Sequence, residues 1–175
     1  ADFDQDGDLD LFVGGRGKAG FFPMPSVSYL LRNDKGIFTD ITDQTAPALR
    51  TIGMVQTAVW ADLDKDKYPE LILAGDWMPL KIFRNKGGRL TDISEESGLT
   101  NTEGLWATLL PADVDNDGDL DIIAGNAGLN NQFRASVKEP MSIVAADIND
   151  DGVIDPIWCY FIEGKSYPVA SRDEL

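Results

Sequence analysis

The sequence has no histidine, a single cysteine, and only 15 basic residues against 30 acidic ones. Without histidine the chain lacks the commonest general base and the commonest transition-metal ligand. With one cysteine it can close no intrachain disulfide and build no thiolate cluster. Cys159 lies in the apolar stretch Ile157-Trp158-Cys159-Tyr160-Phe161 and reads as a small buried hydrophobe. The shortage of Lys and Arg argues against nucleic acid, because phosphate binding rests on clustered basic side chains. No run of roughly eighteen apolar residues marks a membrane span and no leader is visible. The chain opens without methionine, directly on an acidic motif, and reads as a piece of something longer.

What is present is a nonapeptide, Asp-x-Asp-x-Asp-Gly-x-x-Asp, written four times with small variations. The copies are Asp2-Phe3-Asp4-Gln5-Asp6-Gly7-Asp8-Leu9-Asp10, Asp62-Leu63-Asp64-Lys65-Asp66-Lys67-Tyr68-Pro69-Glu70, Asp113-Val114-Asp115-Asn116-Asp117-Gly118-Asp119-Leu120-Asp121 and Asp147-Ile148-Asn149-Asp150-Asp151-Gly152-Val153-Ile154-Asp155. Together they hold 18 of the 30 acidic residues. Four or five carboxylates confined to nine residues repel one another unless a cation joins them. Four divalent ions would bring the net charge from −15 to about −7.

Calcium accepts six to eight oxygen ligands in flexible geometry, and oxygens at alternate positions of a tight loop can converge on one ion. In that arrangement positions 1, 3, 5 and 9 supply side chains, position 7 a backbone carbonyl and position 6 the turn. Glycine suits the turn because positive φ costs it nothing. The second copy departs from the pattern, with Lys67 in the glycine place and Glu70 at the close. An EF-hand is excluded, since its position 12 must be a bidentate glutamate and here that position is Val13, Leu73, Ala124 and Trp158.

A second phrase also repeats. Leu31-Arg32-Asn33-Asp34-Lys35-Gly36-Ile37-Phe38-Thr39-Asp40-Ile41-Thr42 returns as Phe83-Arg84-Asn85-Lys86-Gly87-Gly88-Arg89-Leu90-Thr91-Asp92-Ile93-Ser94. The spacing defines units near residues 1–52, 53–103, 104–140 and 141–175, with an insertion between Asp10 and Arg32 in the first. The middle unit reads as four strands: Val55–Ala61, Glu70–Ala74 buried on both faces, Leu80–Arg84 and Arg89–Ile93 after the turn Asn85-Lys86-Gly87-Gly88. Four antiparallel strands repeated about every 40 to 50 residues is the pattern of a β-propeller blade.

The acidic nonapeptides, each followed by an apolar run such as Leu71-Ile72-Leu73-Ala74-Gly75, resemble the FG-GAP/VCBS repeats of integrin-α-type propellers. The Arg-Asn-x-x-Gly-x-Phe-Thr-Asp-Ile-Thr phrase is similar to that of cartilage-acidic-protein-like repeats, a group with many bacterial surface and secreted members. The resemblance implies an all-β, partial propeller of about three to four blades, each a four-stranded antiparallel sheet with a calcium loop between its first two strands, within a larger propeller. It implies calcium at Asp2, Asp4, Asp6 and Asp10; at Asp62, Asp64, Asp66 and Glu70; at Asp113, Asp115, Asp117 and Asp121; and at Asp147, Asn149, Asp151 and Asp155. The backbone carbonyls of Asp8, Tyr68, Asp119 and Val153 complete the implied ligand sets.

The third unit does not fit the full pattern. Only 34 residues separate Asp113 from Asp147 and the Arg-Asn-x-x-Gly phrase is missing, so a short or rearranged blade is expected around Asn126–Pro140. A strand over Ile157–Phe161, a turn at Glu163-Gly164-Lys165 and a strand over Tyr167–Ala170 then resume the pattern.

Alternate connections of an antiparallel blade emerge at opposite ends. The face away from the acidic loops therefore gathers the insertion Arg16–Pro25, the loop Asp76-Trp77-Met78-Pro79 and the segment Asn126–Asn131. Its aromatic and amide content suits contact with a protein or a glycan, while Phe21, Phe22 and Trp77 could instead pack on neighbouring blades. Trp60, Trp106 and Trp158 read as core. Three functions compete: a non-catalytic calcium-binding segment of an extracellular or bacterial surface protein, a carbohydrate-active enzyme, and an architectural segment. Because calcium spacing accounts for every acidic cluster, the first is favoured, and an enzyme would have to work with Asp76 and Glu103.

Overall fold

The computed structural model describes residues 1–128 and 132–170, and the chain is all-β, with antiparallel sheets and two short helical turns. Strands β1 (Leu11–Val13), β2 (Tyr29–Asp34) and β3 (Ile37–Asp40) form the first sheet. A helical turn α1 (Thr42–Thr45) and a 3-10 turn (Pro47–Thr51) lead out of it. The middle unit supplies β4 (Met54–Ala61), β5 (Glu70–Met78), β6 (Lys81–Lys86) and β7 (Arg89–Asp92). Strands β8 (Gly104–Ala112) and β9 (Asp121–Asn126) follow, and β10 (Ser142–Ala146), β11 (Asp155–Ile162) and β12 (Lys165–Pro168) make a last sheet.

Each complete acidic nonapeptide closes a hairpin in the same register. Its ninth residue pairs with the alanine before its first: Ala61 with Glu70, Ala112 with Asp121 and Ala146 with Asp155. The first copy makes the equivalent bond from Asp10 N–H to the Ala1 carbonyl at 2.7 Å. The other hairpins turn on two residues with positive φ, Lys35-Gly36, Gly87-Gly88 and Glu163-Gly164. Such turns match the right-handed twist of the strands they join.

Strand limits differ from the sequence reading in two informative places. Strand β5 runs on to Met78, so Asp76-Trp77-Met78 is strand rather than loop. The extension exists because β5 finds a second partner, pairing Asp76 with Leu105 and Met78 with Gly104 while Met54 still faces Asp76 from β4. That pairing joins the middle and third units into one six-stranded sheet. Strand β6 also runs through Lys86, which shortens the expected four-residue turn to Gly87-Gly88. In the third unit β8 and β9 are followed by no strand before β10 among the described residues.

A bulge recurs at equivalent points, between Val55 and Thr57 in β4 and between Trp106 and Thr108 in β8. Opposite the first sits Gly75, where a Cβ would lie 1.9 Å from the Met54 carbonyl oxygen. Only glycine fits so close an approach.

Alternation along β5 places Leu71 and Leu73 in one core and Ile72 and Ala74 in another. The first core lies against the first sheet, with Phe3, Leu30, Leu49 and Phe83 fully enclosed. The second lies against β8 and β9, with Leu109, Trp106 and Ile122. Trp60 and Trp106 are half-buried at the edges of these cores, and Trp158 is half-buried against Trp77. Cys159 is half-buried rather than enclosed, because among the described residues no core cluster covers the last sheet.

Past Leu109 the described residues bury no further hydrophobic side chain, and Val114, Ile123, Val144 and Ile148 are exposed on the later units. Phe83→Ala should therefore cost about 3–5 kcal/mol, whereas Val144→Ala should stay within about 0.5 kcal/mol of wild type. Urea midpoints of the two variants check the contrast.

Candidate metal centres

Each nonapeptide folds around its own carboxylates, with one hydrogen-bond pattern in all four copies. The position 6 N–H donates to the position 1 carboxylate: Gly7 to Asp2 at 3.1 Å, Lys67 to Asp62 at 3.1 Å, Gly118 to Asp113 at 3.0 Å and Gly152 to Asp147 at 2.8 Å. The position 5 N–H donates to position 3, from Asp6 to Asp4, Asp66 to Asp64, Asp117 to Asp115 and Asp151 to Asn149. The position 7 N–H of Asp8, Tyr68, Asp119 and Val153 donates to position 5. The position 2 N–H donates to the closing acid, from Phe3, Leu63, Val114 and Ile148. Residues at position 4, Gln5, Lys65, Asn116 and Asp150, all take positive φ.

Lys67 occupies the glycine place with φ 76° and keeps the same bonds. The second loop thus has the geometry of the others, held at the cost of a left-handed lysine, about 1–2 kcal/mol.

Carboxylate oxygens of Asp2, Asp4 and Asp6 lie within 4.8 Å of one another, as do those of Asp62, Asp64 and Asp66 and those of Asp113, Asp115 and Asp121. Oxygens on opposite sides of a calcium ion, each about 2.4 Å away, are separated by about 4.8 Å. In the first loop Oδ1 of Asp2 is buried and has no hydrogen-bond partner, while its Oδ2 accepts from Gly7. A buried anionic oxygen left bare is costly, and a cation is the partner that fits an acceptor with no donor nearby. Burial, together with the charges of Asp6, Asp10 and Asp2, pushes the Asp4 carboxyl above its ordinary range. Burial likewise pushes Glu70 up, against the N–H bonds from Leu63 and Asn85. A bound divalent ion would reverse both tendencies.

The closing acids Asp10 and Glu70 are buried and tied by both oxygens to backbone. Asp10 accepts from Phe3 at 3.1 Å and Asn33 at 2.8 Å, and Glu70 from Leu63 at 2.9 Å and Asn85 at 3.2 Å. Here the second repeated phrase acquires a role that the sequence reading did not assign. Asn33 and Asn85 each clamp a loop, sending Nδ2 to the Leu9 carbonyl and to the Pro69 and Phe3 carbonyls respectively. Their Oδ1 atoms accept from Gly36 and Gly88 in the following turn. In the third and fourth units, where the phrase is absent, Asp121 is exposed and Asp155 half-buried.

The tail of the phrase is a further lock. Thr42 Oγ1 donates to Asp40 at 2.6 Å and accepts from Leu30 N–H at 2.8 Å; Ser94 bonds in the same way to Asp92 and Ile82. Bonds from Arg50 and Thr42 hold the Asp40 carboxyl down at about 2. Burial works to raise Asp92, but bonds from Lys81 and Ser94 outweigh it and lower the carboxyl.

The first three loops share one face of the molecule. Gln5 Nε2 donates to the Lys67 carbonyl at 2.6 Å, joining the first loop to the second, and Lys65 pairs with Asp119, joining the second to the third. Side-chain Oδ2 of Asp8 accepts from Lys35 N–H at 2.8 Å and so faces the neighbouring turn.

A family model described as the FG-GAP-like repeat matches residues 2–73 and again residues 62–124. The chain belongs to the FG-GAP-like repeat family. Each match begins on the first aspartate of one acidic loop and ends within the strand after the next loop, so the FG-GAP-like unit here extends from loop to loop. The fourth loop, Asp147 to Asp155, lies outside the matched segments. No curated protein matches the chain.

On the opposite side a cavity of about 750 Å³ is lined by Trp77, Glu103, Gly104 and Asn126, among others. Leu129, Asn130 and Asn131, named with that face from sequence, lie outside the described residues. Asp76 accepts from Arg16 of the insertion at 2.8 Å, and Phe21 and Phe22 are exposed at its tip. Trp77 has a left-handed backbone, φ 58°, which costs a bulky residue about 1–3 kcal/mol.

Two outcomes follow from this geometry. Lys67→Gly should raise stability by about 0.5–1 kcal/mol, because relief of the left-handed lysine outweighs the added freedom of the unfolded chain; a higher urea midpoint at unchanged slope would show it. Asp40, with its folded value lowered to about 2, contributes stability above the ordinary carboxylate value and loses it as pH falls through about 2. Asp40→Asn should flatten that acid limb of a pH series of urea midpoints, while leaving the slope nearer neutrality unchanged.

Proposed function

We propose that this chain is a calcium-stiffened, non-catalytic segment of a β-propeller in a secreted or bacterial cell-surface protein, presenting the face opposite its acidic loops to a protein or glycan. In this reading the units near 1–52, 53–103, 104–140 and 141–175 are about three to four blades, the third reduced to two strands. Calcium sits in the four loops, held by the side chains at positions 1, 3, 5 and 9 and the position 7 carbonyls. The observation that carries the proposal is the bare, buried Oδ1 of Asp2 beside Asp4 and Asp6. The identical scaffold in the other loops extends it to them. What calcium supplies is charge neutralisation and cross-linking of each hairpin.

Exposed apolar side chains on the later units, Val114, Ile123, Val144 and Ile148 among them, support packing against further blades of a longer parent chain. We place the segment outside the cell because weakly binding calcium loops would be filled at extracellular calcium levels. Among the described residues no helix is long and apolar enough to cross a membrane. An enzyme would need a free carboxylate pair, and of the two candidate acids named outside the loops, Asp76 and Glu103, the first is engaged by Arg16.

Thermal melts in calcium, in magnesium and in chelator test the reading. One site saturated to about 100 times its Kd adds about 2.7 kcal/mol, about 5–10 °C for a chain of this size. Asp4→Asn keeps the acceptor for Asp6 N–H but removes a crowded charge, so it should reduce the calcium response while leaving the chelated form as stable as wild type or more so. Equal melting temperatures in calcium and chelator would sink the proposal.

A further inference from the structure

The 750 Å³ cavity on the face away from the acidic loops falls within the ~300–1,000 Å³ usual for small-ligand sites. We propose that it is a subsite for a neutral saccharide, with Trp77 as the stacking surface and Asn101, Glu103 and Asn126 as the hydrogen-bonding groups. The inference rests on the partner-binding reading above and gives that partner a chemistry.

Trp77 is held at this site by several constraints at once. Its neighbours Asp76 and Met78 pair with Leu105 and Gly104, the register shifts at Trp77 itself, and its backbone is left-handed. Bulky residues rarely take that conformation, and where they persist they cluster at ligand sites. Trp158 meets the indole edge-on, with centroids 5.3 Å apart and planes at 88°. A fixed aromatic ring gives large contact area at little entropic cost.

The polar groups are equally placed. A Cβ on Gly104 would lie 2.3 Å from Asn126 Nδ2, so the glycine is what lets the amide lie across it. Asn126 Oδ1 accepts from Gly128 N–H at 2.6 Å, which orients the group. Amides offer donors and acceptors together and the carboxylate of Glu103 adds acceptors, a combination matched by hydroxyl groups, which both donate and accept.

Charge narrows the ligand class. Among the described residues lining the cavity there is no Lys or Arg, and Glu103 is the sole acid. A sulfated, phosphorylated or uronic ligand would meet no counter-charge on a chain of net charge −15. A Lys- or Arg-rich peptide would find only one carboxylate for several cations. A neutral sugar, apolar on its ring faces and hydroxylated at its rim, suits both the indole and the amides.

The test is titration calorimetry of the intact, calcium-loaded protein against a panel of neutral oligosaccharides, with a sulfated oligosaccharide and a Lys-rich peptide alongside. A neutral oligosaccharide should bind, and Trp77→Ala and Asn101→Ala should each weaken it by about tenfold or more. Should Trp77→Ala lower the melting temperature, Asn101→Ala and Glu103→Gln, both at exposed positions, carry the test. Absence of neutral-sugar binding at millimolar concentration, binding unchanged in the variants, or binding of only the sulfated ligand or the peptide would overturn the inference. Melting temperatures with and without calcium, taken on the same samples, separate the two claims. A calcium response without sugar binding removes the saccharide alone, and sugar binding without a calcium response removes the calcium reading alone.

Discussion

Every hairpin that opens a unit carries four or five carboxylates within nine residues, and their mutual repulsion is the constraint that shapes everything around them. Backbone N–H groups answer part of it. Positions 2, 5, 6 and 7 each point an N–H at a carboxylate of their own loop, and positive φ at positions 4 and 6 is the cost of that inward geometry. The remainder falls to a cation in the proposed function, since no N–H reaches the buried Oδ1 of Asp2.

The rest of the fold is organised around those loops. Phe3, the second residue of the first loop, is enclosed and stacks on Trp60 with centroids 5.9 Å apart, while Leu63 in the second packs against the next core. Position 2 therefore couples the first and second loops to the sheet that follows. Its counterparts Val114 and Ile148 are exposed. Asn33 and Asn85 fasten the other end of a unit onto the same loop, so a unit that has lost this asparagine, as the third has, also leaves its closing acid open to solvent.

The acidic loops, the strand order of the middle unit and the shortness of the third unit were legible in the sequence because each is a local pattern: oxygen spacing, the apolar run Leu71–Ala74, and a missing phrase between Asp113 and Asp147. What escaped were long-range effects. The extension of β5 through Trp77 depends on a partner strand that starts at Gly104, and no local signal announces that pairing. The burial of Glu70 and the clamp from Asn85 depend on Phe3, 82 residues away in sequence. The repetition of Arg-Asn-x-x-Gly was visible, but its meaning required seeing the asparagine meet the loop. The half-burial of Cys159 has the same origin, since an apolar stretch is enclosed only when another sheet covers it.

The central claim is that the four loops are ion sites of one kind. Long-wavelength anomalous diffraction from crystals grown in calcium addresses it most directly, because it locates each ion as well as counting it. The account predicts one peak in each loop, among the side chains at positions 1, 3 and 5, with the Lys67 loop filled like the others. An anomalous map with no peak in any loop, in crystals grown at saturating calcium, would contradict it.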